Sequence, residues 1–297
     1  MMLLDLRRGA LALAVVVGLA VAGCSNSSNP TSPTGPPAAG SPVVYTAIGA
    51  SDAIGFGSSS PCVPFADCPS GLGYVQVIAR QLQAQGSSVT LRNLGIPGAV
   101  MGPGVQSLAS QYNRTLPGNF IDGEVPFVDR TSTLVTIFAG GNDVNTIGSV
   151  IRSGAGGSDP WTFIDQQVKS FATEYATMIS RIRDRAPGAR IVVANLPNFA
   201  AIPITSGLTL EERQMMQKIS VGFSTQAINP LASQGIPVVD LLCNSQFANP
   251  NIFSADGFHP NDTGYAILAS EMLKAIMAAG VTAPVSSCAL MTVVPAR

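Results

Sequence analysis

The 297-residue chain has little charge and almost no histidine. Only 11% of its residues are Asp, Glu, Lys or Arg, and the formal net charge is -1. Nucleic-acid binding needs clustered basic side chains, so the composition indicates no nucleic-acid partner. Because His259 is the one histidine, a zinc site built from cysteines and two histidines is excluded. His259 is also the one side chain whose ordinary pKa suits proton transfer near neutral pH.

The N-terminal apolar run is too short to cross a membrane. It extends from Ala10 to Ala22, well below the ~20 residues that a bilayer requires. Arg7 and Arg8 precede it, and it closes on the letters VAGC at Cys24. This pattern predicts a signal peptide over residues 1–23 and resembles a bacterial lipoprotein signal, in which Cys24 is lipidated. An ordinary signal peptide with an incidental cysteine is the alternative.

The next segment has almost no side chain that a core could bury. Residues 24–42 are rich in Ser, Pro and Gly, a mixture that cannot offset the entropy lost on ordering. We therefore expect a disordered tether that joins a lipid anchor to one folded domain, residues 43–297. The protein is then expected to be exported, monomeric and lipid-anchored to the bacterial envelope, at the outer membrane or the cell surface.

Four cysteines remain when Cys24 is set aside. An even number suits a chain that enters an oxidising compartment, where thiols pair as disulfides. Of the three pairings, we favour Cys62 with Cys68, which closes a short loop, and Cys243 with Cys288, which holds the C-terminal tail. Four free thiols are the alternative.

Apolar runs of strand length alternate with helical patterns along the domain. Strands that are apolar on both faces and are each followed by a helix predict a parallel sheet covered on both sides. We expect a three-layer α/β/α sandwich around a mostly parallel five-stranded sheet. The predicted strands cover residues 43–50, 89–95, 133–140, 189–196 and 236–242.

Helical spacing of apolar residues predicts four helices between or after these strands. Three further stretches have no such spacing, and we expect them to be irregular loops over the edge of the sheet where the strands end. The predicted helices cover residues 74–85, 163–186, 208–235 and 263–280. The predicted loops are residues 57–71, 113–130 and 143–162.

Polar groups and glycines follow the first three predicted strands. In parallel α/β folds the chemistry lies at the carboxyl ends of the strands, where Ser51, Gly98 and Asn142 stand. Ser51 is a candidate nucleophile, while the Gly98 N–H and the Asn142 amide are candidate donors to a developing oxyanion. Taken singly, each has a structural alternative: a helix cap, a turn glycine and an Asx turn respectively.

The stretch DGFHPN, residues 256–261, follows the fifth strand and holds the single histidine. Gly257 permits a sharp bend, and Asn261 or Asp262 can cap the last helix. This spacing lets the Asp256 carboxylate reach the Nδ1–H of His259 and leave Nε2 free to accept a proton. A buried structural imidazole is the alternative.

Taken in chain order, the four motifs resemble those of the GDSL or SGNH hydrolase family. The letters GGND and DGFHP are the specific parts of the likeness, which extends over residues 43–280. One position departs from the family pattern, because Ala50 stands where GDSL has an aspartate and Asp52 follows the serine. The resemblance implies an SGNH or flavodoxin-like fold.

The resemblance also implies a serine esterase or lipase that hydrolyses carboxylic esters through an acyl-serine. Ser51 would be the nucleophile, and Asp256 and His259 would complete the triad. The oxyanion hole would consist of the Ser51 N–H, Gly98 and Asn142. This route needs no cofactor or metal. Small-molecule, lipid and acetylated-sugar esters are all candidate substrates.

Two other functions remain open at this stage. A conventional α/β-hydrolase fits less well, because its nucleophile lies in GxSxG and Ser51 lies in GASDA. A lipid-anchored solute- or glycan-binding protein without catalysis explains the alternation of strands and helices, but not the four motifs at strand ends.

Apolar residues are frequent in the predicted loops and either line an acyl pocket or pack onto the domain. They are Phe56, Phe65, Phe120, Phe127, Ile147, Trp161, Phe163, Phe199 and Ile202.

Overall fold

A computed structural model describes residues 35–297. The predicted signal peptide, Cys24 and the tether up to residue 34 lie outside the described residues. Five strands form one parallel sheet in the order β2-β1-β3-β4-β5, which confirms the predicted α/β class. The strands are β1 (Val43–Gly49), β2 (Val89–Asn93), β3 (Leu134–Phe138), β4 (Arg190–Ala194) and β5 (Val238–Val239).

Helices cover both faces of the sheet, as the buried strands require. Helices α1 and α7 pack on one face, and α2, α4, α5 and α6 lie on the other. Among the described residues the helices are α1 (Tyr74–Ala84), α2 (Pro103–Gln111), α3 (Phe120–Gly123), α4 (Gly141–Arg152), α5 (Pro160–Arg185), α6 (Leu210–Gly222) and α7 (Asp262–Met277).

Strand β4 shows why the sheet must be covered on both sides. All five of its residues are buried, and successive side chains point to opposite faces. Ile191 and Val193 join the core beneath α4, α5 and α6, whereas Val192 and Ala194 join the core beneath α1 and α7. The central strands therefore lack the apolar and polar alternation of a sheet with one solvated face.

The predicted loop over residues 143–162 is wrong, because α4 occupies residues 141–152. Val144, Ile147 and Val150 recur at helical spacing and are fully buried. The helix begins only three residues after β3 ends, and the glycine pair Gly140–Gly141 at this junction is more typical of a turn than of a helix start. Gly140 makes that transition with φ +115°, in the left-handed region that favours glycine.

Two other predicted boundaries also differ from the structure. Residues 113–130 hold the short helix α3, capped by the Asn119 side chain, and a 3-10 turn at Val125–Phe127. The helix predicted over residues 208–235 is regular α-helix only from Leu210 to Gly222. The chain then forms a π-helical turn at Phe223–Ile228 and a 3-10 turn at Asn229–Gln234. Pro230 has no N–H group, so the α-helical hydrogen-bond pattern cannot extend through it.

The four cysteines of the described chain form two disulfides. Cys62 is bonded to Cys68, which closes the loop before α1, and Cys243 is bonded to Cys288, which fastens the C-terminal segment beside the end of β5. Within residues 35–297, no helix combines the length and the apolar character needed to traverse a bilayer.

Candidate active site

Ser51 and His259 are in contact although 208 residues separate them in the chain. Ser51 Oγ lies 2.7 Å from His259 Nε2. Ser51 comes two residues after β1 ends, and His259 lies in the loop between β5 and α7. Both therefore stand at the carboxyl edge of the sheet, where a parallel α/β fold places its ligands.

Asp256 makes the third contact in this chain of side chains. Its Oδ2 lies 2.6 Å from His259 Nδ1. The other oxygen, Oδ1, accepts hydrogen bonds from Ser254 Oγ and from the N–H groups of Phe258 and His259. Burial by itself would raise the pKa of Asp256, but the His259 N–H and the other donors lower it to about 2. Asp256 is therefore ionised near neutral pH and fixes the proton of His259 on Nδ1.

The backbone of the 254–261 loop holds this geometry. Gly257 has φ +70°, and a Cβ at this position would lie only 2.8 Å from the Ile204 nitrogen. Asn261 caps α7, because its side chain accepts from the Gly264 N–H. Asp262, the other candidate cap, instead accepts from the N–H and the hydroxyl of Ser59. The loop is thus anchored at both sides of His259.

Gly98 lies in a tight turn after β2. The Ala99 N–H donates to the Ile96 carbonyl at 3.0 Å, and the two central residues are Pro97 and Gly98. Proline at the second position and a glycine with φ +80° at the third are the pattern of a type II turn. A residue with a Cβ would be strained at Gly98.

Asn142 lies in the first turn of α4, not on the strand. Its Nδ2 donates one hydrogen bond to the Ala99 carbonyl at 2.9 Å. An amide nitrogen carries two hydrogens, so this bond orients the group and leaves a second donor. The Asn142 amide is therefore attached directly to the turn that carries Gly98.

Two backbone donors accompany this amide. Within residues 35–297, neither the Ser51 N–H nor the Gly98 N–H donates to another group of the chain. Unpaired N–H groups near a nucleophile are the arrangement that stabilises an oxyanion. The segments that carry them are also in contact, because the Ile96 N–H donates to the Gly49 carbonyl.

A fully buried carboxyl group ties the first two of these segments together. Glu124 has no exposed surface, and its two oxygens accept the N–H groups of Gly49 at 3.0 Å and Ile96 at 3.3 Å. Each of these N–H groups lies two residues before a candidate site residue, Ser51 and Gly98 respectively. Burial raises the pKa of Glu124 well above its ordinary value, against the lowering effect of the two N–H donors.

A second buried carboxyl group fastens the third segment. Asp143 follows Asn142, and both its oxygens lie within 3.1 Å of the Met101 nitrogen. Burial raises the pKa of Asp143 to about 7, although the Met101 N–H opposes this shift. Glu174 on α5 adds to the rise through its own negative charge. Asp143 thus connects the start of α4 to the chain that follows Gly98.

The buried positions of Glu124 and Asp143 beneath the site were not predicted from the sequence, for different reasons. Asp143 is the last residue of the GGND motif and directly follows Asn142, so its place in the sequence could have indicated a role at the site. No local pattern points to Glu124, because the nearest residue that its side chain contacts by a hydrogen bond, Ile96, is 28 positions away. Only the fold brings it beneath the strand ends.

The apolar loop residues divide into groups. Phe120, Phe199 and Ile202 line a cavity at the strand ends, and the Phe56 ring lies 4.7 Å from the imidazole of His259. The others pack elsewhere: Ile147 is buried in the core, Trp161 and Phe163 pack against it, and Phe65 and Phe127 are exposed beside β2.

Solved structures with a similar fold include two lipases and a phospholipase. The lipase Lip_vut3 from a goat rumen metagenome is 21% identical, with a TM-score of 0.54 over 80% of this chain and 98% of that one. The extracellular lipase from Streptomyces rimosus is 19% identical, with a TM-score of 0.55 over 79% and 98%. Phospholipase A1 from Streptomyces albidoflavus is 19% identical, with a TM-score of 0.51 over 77% and 99%. At these identities the likeness shows the fold.

A sequence profile shows the family. No curated protein sequence matches the chain significantly. Residues 47–267, most of the folded domain, match the GDSL-like lipase/acylhydrolase family, and the match spans every residue of the candidate site. The chain therefore belongs to the GDSL-like lipase/acylhydrolase family, and hydrolysis of esters is the activity that this membership supports.

Proposed function

We propose that the protein is a serine esterase that hydrolyses carboxylic esters through an acyl-serine intermediate. The observation that carries the proposal is the continuous hydrogen-bonded chain from Ser51 through His259 to the ionised Asp256. A serine hydroxyl is a weak nucleophile until a neighbouring base removes its proton, and this arrangement supplies that base.

Acylation begins with attack of Ser51 Oγ on the ester carbonyl carbon while His259 Nε2 takes the hydroxyl proton. The new C–O bond converts the carbonyl oxygen into an oxyanion, which the N–H groups of Ser51 and Gly98 and the Asn142 amide receive. The tetrahedral carbon then releases the alkoxide, and the imidazolium protonates it. Asp256 stabilises the imidazolium without itself taking the proton.

Deacylation repeats these steps with water as the nucleophile. His259 accepts a proton from the water as its oxygen attacks the acyl-serine carbonyl. The second tetrahedral intermediate collapses, the bond to Ser51 Oγ breaks, and the imidazolium returns a proton to the serine. The products are one carboxylic acid and one alcohol for each ester, and the enzyme regains its starting protonation.

The decisive experiment compares the wild type with Ser51→Ala on a short nitrophenyl ester. We expect the variant to lose nearly all turnover, and stoichiometric labelling by a fluorophosphonate should occur in the wild type alone. Ser254→Ala is the matched comparison: its hydroxyl donates to Asp256 and not to His259, so this variant should lose far less turnover and should still be labelled. Wild-type turnover by Ser51→Ala would refute the proposal, and a wild type that resists labelling would favour a binding protein.

We further propose that the domain, residues 43–297, is attached to the bacterial envelope by a lipid on Cys24 and held away from the membrane by the tether. The VAGC letters before the tether support this placement. Cys24→Ser should move the protein from the membrane fraction to the soluble exported fraction. An unchanged distribution together with no lipid on the mature N-terminus would contradict the anchor.

A further inference from the structure

A small cavity lies beside the candidate catalytic groups. Its wall includes Asn142 and the two residues next to Ser51, which are Ala50 and Asp52. It also includes the two residues next to His259, which are Phe258 and Pro260. The Ser51 and His259 side chains themselves do not belong to the wall. The wall also includes Phe138 at the end of β3 and Leu196 just after β4, so the cavity lies at the carboxyl edge of these strands.

This placement identifies the part of a substrate that the cavity receives. The leaving alcohol must lie near His259 Nε2, because that nitrogen supplies its proton. The carbonyl oxygen must point towards Asn142. A cavity that includes Asn142 but not the imidazole is therefore on the acyl side of the scissile bond.

The size of the cavity limits the acyl chain. Its volume is about 40 Å³, and one water-sized group requires roughly 10–15 Å³. The space therefore accommodates about three such groups beyond the carbonyl, which corresponds to an acyl chain of about two to four carbons.

The walls are largely apolar. Six phenylalanine rings line the cavity, and Phe120 and Phe199 among them are almost fully buried. Phe199 and Phe258 meet edge to face with ring centres 6.0 Å apart. A carboxylate on the acyl group would find no basic residue in this wall, and Asp52, the one acidic residue there, would repel it. The cavity therefore favours uncharged chains over negatively charged ones.

We propose that the enzyme is specific for esters of short, uncharged acyl groups, from acetyl to about butyryl. This inference rests on the proposed function, because it assigns a substrate class to the same site. It places selectivity on the acid part of the ester and leaves the alcohol part on the open side of His259, beside the exposed ring of Phe56.

The first experiment measures kcat/KM for nitrophenyl acetate, butyrate, octanoate and palmitate. We expect acetate and butyrate to be the best substrates and octanoate to be at least about tenfold worse than butyrate, since one misfitting methylene in a hydrophobic pocket already costs about tenfold or more. A succinyl ester should be poorer than the butyryl ester of the same alcohol.

Gly141→Ala should narrow the cavity. A Cβ at this position would lie 3.4 Å from the Phe258 ring and 3.7 Å from the Phe199 ring, at ordinary contact distance and without an unfavourable φ. We expect activity on butyrate to fall more than activity on acetate. Displacement of Asn142 would instead reduce both rates equally, so the acetate to butyrate ratio isolates the change in cavity size.

Ile202→Ala should widen the same cavity, because the nearly buried Ile202 side chain forms part of its wall. We expect the octanoate to butyrate ratio of kcat/KM to rise. Gly188→Ala is the matched control for Gly141→Ala, because a Cβ at Gly188 meets no atom within 4 Å and this residue precedes β4 at the other edge of the sheet. It should leave the profile unchanged.

The outcomes separate the two proposals. No hydrolysis of any ester and no fluorophosphonate labelling would remove the proposed function itself. Hydrolysis that is fastest on octanoate or palmitate would keep the esterase and overturn the short-acyl specificity. An acetate to butyrate ratio that Gly141→Ala leaves unchanged would show that this cavity does not hold the acyl chain, and would overturn it as well.

Discussion

The carboxyl groups at this edge of the sheet fall into two regions with opposite surroundings. In the loop after β5, Asp256 is partly exposed, accepts four hydrogen bonds and has a pKa lowered to about 2. Beneath β1 and β3, Glu124 and Asp143 are fully buried without a basic partner among the described contacts, and burial raises the pKa of each.

The difference shows that carboxyl groups have two roles here: one carries a charge beside the imidazole, and the others connect backbone segments. The ionised carboxylate faces an imidazole, where its charge stabilises the imidazolium that forms during catalysis. The buried carboxyl groups face only backbone N–H groups, so their oxygens connect segments and need no charge for this. Each region can be disrupted separately, which makes the comparison testable.

Asp256→Asn should have the largest effect of the substitutions that test this comparison. The amide cannot stabilise the imidazolium and favours the wrong tautomer, so we expect kcat to fall by about 10³–10⁴-fold with little change in KM. The measurement is steady-state kinetics on nitrophenyl butyrate. Ser254→Ala removes only one donor to the same carboxylate and should cost far less. A loss of less than tenfold in Asp256→Asn would contradict the triad.

Asn142→Ala should rank second. Removal of one oxyanion donor costs about 10²–10³-fold in kcat, and we expect at least a hundredfold loss here. The buried Ala99 carbonyl loses the Asn142 side chain as its partner, at a cost of about 1–3 kcal/mol in stability, which leaves most of the folding free energy in place. Thermal unfolding monitored by circular dichroism would verify folding, and an unchanged kcat in a folded variant would remove Asn142 from the oxyanion hole.

Glu124→Gln should have a smaller effect on the rate. Glutamine keeps one acceptor for the Gly49 N–H but turns an NH₂ towards the Ile96 N–H, which then retains only its bond to the Gly49 carbonyl. The two donors now face each other in a buried place, at a cost of about 1–3 kcal/mol in stability. The displaced segments carry Ser51 and Gly98, and small misplacement of reacting groups costs up to about 10²-fold. We expect kcat to fall about tenfold with KM unchanged.

The control for Glu124→Gln is Asp143→Asn. Asp143 meets a single N–H group, which one amide oxygen can accept, so this isosteric change should affect kcat less. A Glu124→Gln variant with wild-type kcat and reduced stability would show that Glu124 is structural and does not position the site.

The smallest effect concerns the dependence of stability on pH, and its sign differs between the two regions. Asp143 binds its proton more tightly when folded, so its contribution to stability decreases as pH rises from about 4 to its folded pKa of about 7. Asp256 does the opposite: its contribution is present above its unfolded pKa and is lost as pH falls towards about 2.

Urea unfolding from pH 3 to pH 8 tests these signs. The free energy of unfolding of Asp143→Asn, relative to wild type, should increase with pH over the interval between about 4 and 7. That of Asp256→Asn should decrease as pH rises from about 2 to 5. Parallel curves for the two variants would contradict the assigned environments.

Sequence patterns predicted much of this fold because the evidence for it is local. Each central strand is a largely apolar run between turn residues, and the order of strands and helices leaves few topologies other than a parallel sheet. The positions of Ser51, Asn142 and Asp256 after strands follow from the same reading. Their roles in catalysis remain a prediction that the kinetic experiments test.

What sequence patterns could not predict depends on contacts between distant segments. The cavity forms where Phe120, Phe199 and Phe258 meet, and no local spacing brings these rings together. Glu124 is an acidic residue in an irregular stretch, and its burial follows only from the packing of that stretch beneath β1. Helix α4 was missed because glycines and polar residues at its start obscure the apolar positions that follow.

The contact between Ser51 and His259 joins nearly the first and nearly the last elements of the domain. A nascent chain that still lacks its final forty or so residues carries a serine with no base. On the proposed function, hydrolytic competence arises only after the last helix and the loop before it have folded onto the first strand. Under the proposed export, a chain that is still crossing the membrane is therefore inactive.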